Sequence, residues 1–360
     1  MSTTTQKISR EDLLKSLEGV EPGLSKKAIT EQSDCLILGG GRVQTFNDEV
    51  YCNGPCSLNG DVAGAVPATK LLEIMRKLEQ EELEVTLGGG TLAFKGKGGE
   101  RFKVRLEAEV SLPVGEVEKP TGWKPLHPDF CEAVAAVGPC ASRDQSRFSL
   151  TCVHLHPKWC EALDDMQLAR WRLPTGLTAP VLVRQSSVRH LKQLGVTEFA
   201  EGSGWLHFRT RKGGLRLSCR HYNDEFPDLD EILKKLTDGI PAQLPKGLAE
   251  AADKAAVFSS ENQDANLVRV VLLPGRVRVK GLGLSGEYTK PLKAKYDGPR
   301  TEFLMPPQIL GELCKNHNEI TVGEGRVWVK AGKLLYLACT VLPDDNINPA
   351  QEDTPVAEGE

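Results

Sequence analysis

Apolar residues recur three times along the chain in one order, first at helical and then at alternating spacing. In residues 65–97, Leu71, Ile74, Met75 and Leu78 fall on one helix face, and Lys70, Glu73 and Lys77 fall on the other. Pro67 suits the helix start, where a missing N–H costs nothing. The period then drops to two, with Leu83, Val85 and Leu87 before Gly88-Gly89-Gly90, and Leu92 and Phe94 after it. That switch predicts a helix followed by a β-hairpin. The unit returns at 179–212 and at 303–333, spaced by about a third of the chain. Each copy has a helix, an alternating strand, a glycine turn and a second strand ending in basic residues. So long a period points to repeated domains and not to a solenoid.

The flanking patterns repeat as well. In the first third, Ser9 is a helix N-cap before Asp12, Leu13, Leu14 and Leu17, and Gly19 and Pro22 end the helix. Strands are expected at 34–38, 42–47, 49–53 and 101–107, and then a proline-marked linker through Pro125. The second third predicts a helix at 127–137 carrying Phe130, Val134 and Val137, and strands at 147–156, 167–173 and 214–221. In the last third the helix is 245–258, with strands at 267–272, 276–280, 287–290 and 334–342. Two helices covering a sheet, three times over, is an α+β arrangement. The expected domains are 1–121, 122–237 and 238–343. Residues 344–360 hold Asp344, Asp345, Glu352, Asp353, Glu358 and Glu360 with no Lys or Arg, a composition that predicts disorder.

Composition narrows the function. The 40% hydrophobic and 26% charged shares suit a globular protein. No apolar run reaches membrane-helix length, and Met1 to Lys7 lacks a signal-peptide core. Ten scattered cysteines suggest reduced thiols in a cytoplasm, bacterial or that of a viral host. A net charge of −4 argues against coating nucleic acid by bulk attraction, though not against enclosing it.

The order of landmarks resembles the bacterial sliding clamp, the β subunit of DNA polymerase III, in a divergent form that a phage could encode. Val66-Pro67-Ala68-x-Lys70 is similar to its second helix. Arg147-Phe148-x-Leu150, residues 164–168 and Phe226-Pro227-Asp228 are similar to landmarks of its second domain. Ala255-Ala256-Val257-Phe258-Ser259 and residues 336–341 are similar to landmarks of its third. The resemblance runs to about Pro343 and implies three clamp domains per chain in a head-to-tail homodimeric ring, helices inside and sheets outside. A ring of roughly twelve helices spaced ~8–10 Å apart leaves a hole of ~25 Å, wide enough for duplex DNA. Such a protein has no cofactor and no catalytic activity. Its partners are encircled DNA, a replicative polymerase and a clamp loader, the last two bound through short peptides.

The same resemblance assigns residues. Lys26, Lys27, Lys70, Lys77, Arg143, Arg147, Arg189 and Lys192 stand where the family contacts phosphates. Acidic residues such as Glu73 and Glu132 share those helices, so a solvated face is an equal expectation. Leu150, Leu163, Asp164, Leu168, Pro227, Ile232, Cys339 and Val341 match the peptide cleft; the plain alternative is interdomain core. Phe102 and Val104 would meet Val257 and Phe258 of a second copy, unless all four are ordinary core. The chain departs from the family at Asp165-Met166-Gln167, where a Gly-His-Arg-like turn is usual. It also continues past the usual end, with an acidic segment that could cover the cleft or tether a partner.

Other chemistry is weaker. Cys152-x-His154-x-His156-x3-Cys160 has zinc-ligand types, but alternation on a strand explains the spacing. Cys52-x3-Cys56 is weaker still, and the glycine turns fit neither a P-loop nor a dinucleotide fingerprint. The alternatives to a processivity clamp are a clamp-fold scaffold for another DNA-metabolism partner, or a zinc-containing or hydrolytic enzyme.

Overall fold

The computed structural model describes residues 4–26, 30–59, 61–210, 214–260 and 266–343. Lys27 and the acidic segment 344–360, with its expected disorder, lie outside them. Among the described residues no helix is long and apolar enough to cross a membrane. The chain forms two compact units: Met1–Asp164 with Arg170–Phe226, and Asp165–Ala169 with Pro227–Glu360.

The first unit holds helices α1 (Arg10–Gly19), α2 (Ala68–Lys77) and α3 (Phe130–Val137), and the short α4 (Gln185–Val188) and α5 (Leu191–Leu194). Ser9 caps α1 by accepting the Asp12 N–H at 3.2 Å, and Leu13 and Leu17 are fully buried. On α2, Leu71, Leu72 and Met75 are buried. Strands Glu82–Gly88 and Thr91–Gly96 follow, joined by Gly89 and Gly90 at φ 59° and 69°. Two left-handed residues make the tight turn whose twist matches a hairpin, and glycine takes that conformation without strain.

Two sheets support these helices. Thr4–Ser9, the hairpin and Arg101–Arg105 form a four-stranded antiparallel sheet with Arg101–Arg105 at one edge. In the other sheet, Cys35–Gly39, Arg42–Phe46 and Val50–Pro55 lead to Arg216–Tyr222, which pairs Leu217 with Cys52 and Ser218 with Tyr51. Beyond it stand Val181–Arg184, Cys152–His156 and Trp159–Leu163. Apolar residues of both repeats fill one core here, Ile37, Phe46, Tyr51 and Ala65 packing with Trp205.

The second unit carries α6 (Asp230–Lys234), α7 (Leu248–Ser259) and α8 (Pro307–Asn316). One sheet runs Ile240–Gln243, Glu319–Gly323, Arg326–Ala331 and Leu334–Cys339, with residues 165–169 alongside the last. The other runs Gly286–Lys293, Arg276–Gly283, Val268–Leu273 and Thr301–Met305. Val270, Val277 and Val279 are buried on its helix side. There Gly281 lies so close to α7 that a Cβ would come within 1.9 Å of the Ala255 carbonyl oxygen.

Three sequence expectations are corrected, and one strand was not anticipated. Thr4–Ser9 is a strand that polar residues do not announce; only Ile8 is buried, and its pairing with Glu82–Gly88 is long-range. Residues 147–156 are not strand throughout. Phe148–Thr151 is a 3-10 turn closed by the Thr151 hydroxyl on the Phe148 carbonyl (2.7 Å), and extended chain begins at Cys152. The helix expected from 127 starts at Phe130, because His127 Nδ1 accepts the Asp129 N–H in a preceding turn. The second repeat's helix is broken into α4 and α5. Gln-Ser-Ser-Val is a poor helical run, and Gly195 at φ 62° ends α5.

His207 is buried between strands, its Nδ1 2.8 Å from the Ser218 hydroxyl. Burial, and next the charge of Arg216, lower its pKa from 6.5 to about 4. A depressed histidine stabilises the fold in its neutral form. The first unit is therefore expected to be fully stable above pH ~6.5 and to lose about 2–3 kcal/mol as pH falls towards 4. Urea denaturation across that range should show the decline, and His207→Gln should flatten it.

Candidate nucleic-acid interface and docking surfaces

In the first unit the end of α1, the turn after it, α2 and α5 enclose a groove of about 710 Å³. Its apolar lining includes Leu24, Leu72 and Leu194, and Lys26, Lys77 and Arg189 stand around it. Three of the expected phosphate-contacting residues thus converge. Four others, Lys70, Arg143, Arg147 and Lys192, do not line it. Lys70 sits at the start of α2, and Lys192 on α5 pairs with Glu132 of α3 at 2.6 Å. Arg143 and Arg147 are exposed on the loop before the 3-10 turn, and Lys27 lies outside the described residues.

The groove is not a basic patch. Lys26, Arg76, Lys77 and Arg189 are matched by Glu18, Glu21, Asp34 and Glu73. Glu73 bridges Lys70 (3.1 Å) and Lys77 (3.3 Å), and these two hydrogen bonds lower its pKa. Arg76 contacts Glu18 (2.9 Å) and Glu21 (2.6 Å), and Glu18 foremost raises its pKa. Burial, then Arg189, lowers the pKa of His190, and its neutral Nε2 accepts from Arg189 Nε at 3.2 Å. Arg76 was not anticipated. Its place one turn from Glu73 was visible, but its partners come from the end of α1 and the turn after it.

The expected cleft residues divide between the units. In the first, Leu150 is buried in the 3-10 turn, and Leu163 and Asp164 are half-buried at the end of Trp159–Leu163. In the second, Leu168 is buried on the segment beside Leu334–Cys339, where the Cys339 N–H donates to the Met166 carbonyl at 2.7 Å. Arg326, cross-strand from Cys339, donates to the Lys235 carbonyl just after α6. That contact brings α6 to the same strand pair. Pro227, Ile232, Cys339 and Val341 are exposed, as is Leu342. Exposed apolar side chains are what a docking surface offers.

Of the expected closure residues, Phe102 and Val104 lie on an edge strand, and Val257 and Phe258 on a helix. Phe102 and Val104 are half-buried on Arg101–Arg105, with Phe102 stacked on Phe94 at 4.5 Å. Val257, 67% exposed, and the half-buried Phe258 lie on α7, and Phe258 faces Gly286 of the edge strand Gly286–Lys293.

The cysteine–histidine run does different work. His154 Nδ1 is 2.7 Å from Glu161, a carboxylate that also holds Trp159 Nε1 (2.8 Å) and the buried Arg170. The Cys152 thiol points at the Phe148 carbonyl, and burial pushes it up to about 11. Among the described residues no group of three His, Cys, Asp or Glu side chains is placed to hold a metal. Burial also pushes Cys52, of the weaker Cys52–Cys56 pair, up to about 12.

Helix-plus-antiparallel-sheet modules with a charged groove and open strand edges define a DNA-clamp type of fold. No family model matches the chain, and no curated protein matches it. Solved structures do. It is similar to the sliding clamp (DNA polymerase III subunit beta) of Bartonella birtlesii, solved bound to griselimycin: TM-score 0.79, 15% identity, 95% of this chain and 100% of that one. The DNA polymerase III beta subunit of Thermotoga maritima gives 0.78 at 16% identity over the same shares. The Pseudomonas aeruginosa clamp, also with griselimycin, gives 0.76 at 17%, again over 95% and 100%. The chain has the fold of these β clamps over their full length.

Exposure orders the thiols. Cys339 is exposed, whereas Cys35, Cys52, Cys140, Cys152, Cys160 and Cys219 are buried. Maleimide labelling of the native protein is expected to modify Cys339 first, with the buried thiols reacting only after unfolding; peptide mass mapping reads the order.

Proposed function

We propose that the chain is a DNA polymerase processivity factor, a sliding clamp without catalytic activity of its own. The observation that carries this reading is similarity to β clamps over 95% of this chain and the whole of theirs, at TM-scores up to 0.79. In this reading the domains are 1–121, 122–237 and 238–343, and two chains close head to tail with helices inside. DNA is held by encirclement. A groove in which carboxylates neutralise cations is compatible with that, since a threaded ring needs little affinity. Tethering converts a modest peptide contact into sustained engagement by raising effective concentration.

Phosphates would pass Lys26, Lys27, Lys70, Lys77, Arg143, Arg147, Arg189 and Lys192. Peptides of a polymerase and a clamp loader would dock at Leu150, Leu163, Asp164, Leu168, Pro227, Ile232, Cys339 and Val341. Phe102 and Val104 would meet Val257 and Phe258 of the second copy. A cytoplasmic location goes with the reading. The unusual Asp165-Met166-Gln167 favours a second one, a clamp-fold scaffold for a different DNA-metabolism partner.

Primer extension on a long template decides between them. With a clamp loader and a polymerase that recognises this ring, product length per binding event should rise many-fold; unchanged length across cognate polymerases rejects the first reading. Phe258→Asp should convert dimer to monomer by light scattering, because a carboxylate would enter an apolar contact. Glu73→Gln should release Lys70 and Lys77. Its affinity for short linear duplex should rise, and the slope of log affinity against log salt should steepen by ~1–2. An unchanged slope removes these lysines from the phosphate path.

A further inference from the structure

We propose that the acidic segment 344–360 docks on the outer face of the sheet built from Gly286–Lys293, Arg276–Gly283, Val268–Leu273 and Thr301–Met305. Register sets the composition of that face. Side chains directly opposite in an antiparallel pair share a face. Gly281, Val279 and Val277 point towards α7, so Lys280, Arg278 and Arg276 point away. Their cross-strand partners add Arg269 on one side and Lys293 on the other. Arg300 joins them through Glu302, which holds Arg269 at 2.8 Å and Arg300 at 3.0 Å. The only carboxylates the register places with these cations are Glu302 and Glu287. Lys280 and Arg269 are buried, at 6% and 7% exposure, so the accessible cations of this face are Arg276, Lys293 and Arg300, with Arg278 half-buried. Arg276 and Lys293 are exposed, and with Arg278 they make no ion pair among the described residues.

The chain delivers the opposite charge to this place. Val341 exchanges two backbone hydrogen bonds with Leu304, 2.8 and 2.9 Å, so the last described residues run beside Thr301–Met305, one edge of this sheet. From there the sequence continues into six carboxylates with no Lys or Arg. Four strands at ~4.8 Å make a face only ~15 Å wide. A segment of this length spans ~50 Å when extended. Attachment at the sheet edge puts the local concentration of carboxylate in the millimolar range, so weak surface pairs suffice. Docking would neutralise a surface that otherwise attracts nucleic acid to the outside of the molecule. The inference does not depend on the clamp reading.

Zero-length carbodiimide cross-linking of the intact chain, followed by peptide mass mapping, tests it. Glu352 and Asp353 should join Lys293 above other lysines. The yield should fall several-fold between ~50 mM and ~500 mM salt as screening sets in. Arg276→Gln with Arg278→Gln should lower the yield at an unchanged melting temperature; if that variant unfolds, the salt series on the intact chain decides alone. Cross-links directed to Lys70, Lys77 and Lys192, spread evenly over exposed lysines, or insensitive to salt would overturn the proposal. So would protection of Lys293 from acetylation by short duplex DNA with no tail cross-link there, which would assign the face to nucleic acid.

Discussion

Backbone pairing between Val50–Pro55 and Arg216–Tyr222 is the constraint on which the first unit depends. It fuses two repeats that are far apart in sequence into one sheet. Side chains reinforce it at both ends. The Tyr222 hydroxyl donates to Glu49 at 2.8 Å, and Arg184 reaches the same carboxylate at 3.1 Å. Arg220 holds Asp48 at 2.7 Å, and Arg42 donates to the Gly214 carbonyl at 2.7 Å. The Tyr222–Glu49 and Arg184–Glu49 contacts are part-buried and bear some desolvation penalty when separated, whereas the Arg220 and Arg42 contacts are exposed. A sheet joined in this way presents α2 and α5 to the same groove, which explains how residues as distant as Lys77 and Arg189 line it.

The charge pattern follows a single logic. In the groove Arg76 and Lys77 are paired with carboxylates, which under the clamp proposal would let phosphates pass without strong capture. A tight, salt-resistant grip would oppose sliding. The outer basic sheet face of the second unit has few acids of its own, and the acidic segment begins beside it. Under the clamp proposal, both arrangements would limit adhesion of a net-negative chain to DNA that it does not encircle.

Much of the fold was legible because it is local. The stripe of Leu71, Met75 and Leu78 identifies α2, and Gly89-Gly90 identifies the turn after it. What escaped depends on distant partners. Thr4–Ser9 is a strand only because Glu82–Gly88 offers it hydrogen bonds, and its side chains carry almost no apolar signal. The 3-10 turn at Phe148–Thr151 hides in a run with strand-like residues because one hydroxyl bond decides it. The candidate site divides in the same way. Lys26, Lys77 and Arg189 were readable from a family resemblance, whereas the neutralising pairs of Arg76 with Glu18 and Glu21 exist only after folding.

Encirclement, as opposed to affinity, is the central claim, and topology tests it most directly. The protein loaded onto nicked circular DNA should remain bound at high salt, and should be released when a single cut makes the DNA linear. Equal release from circular and linear DNA would contradict it.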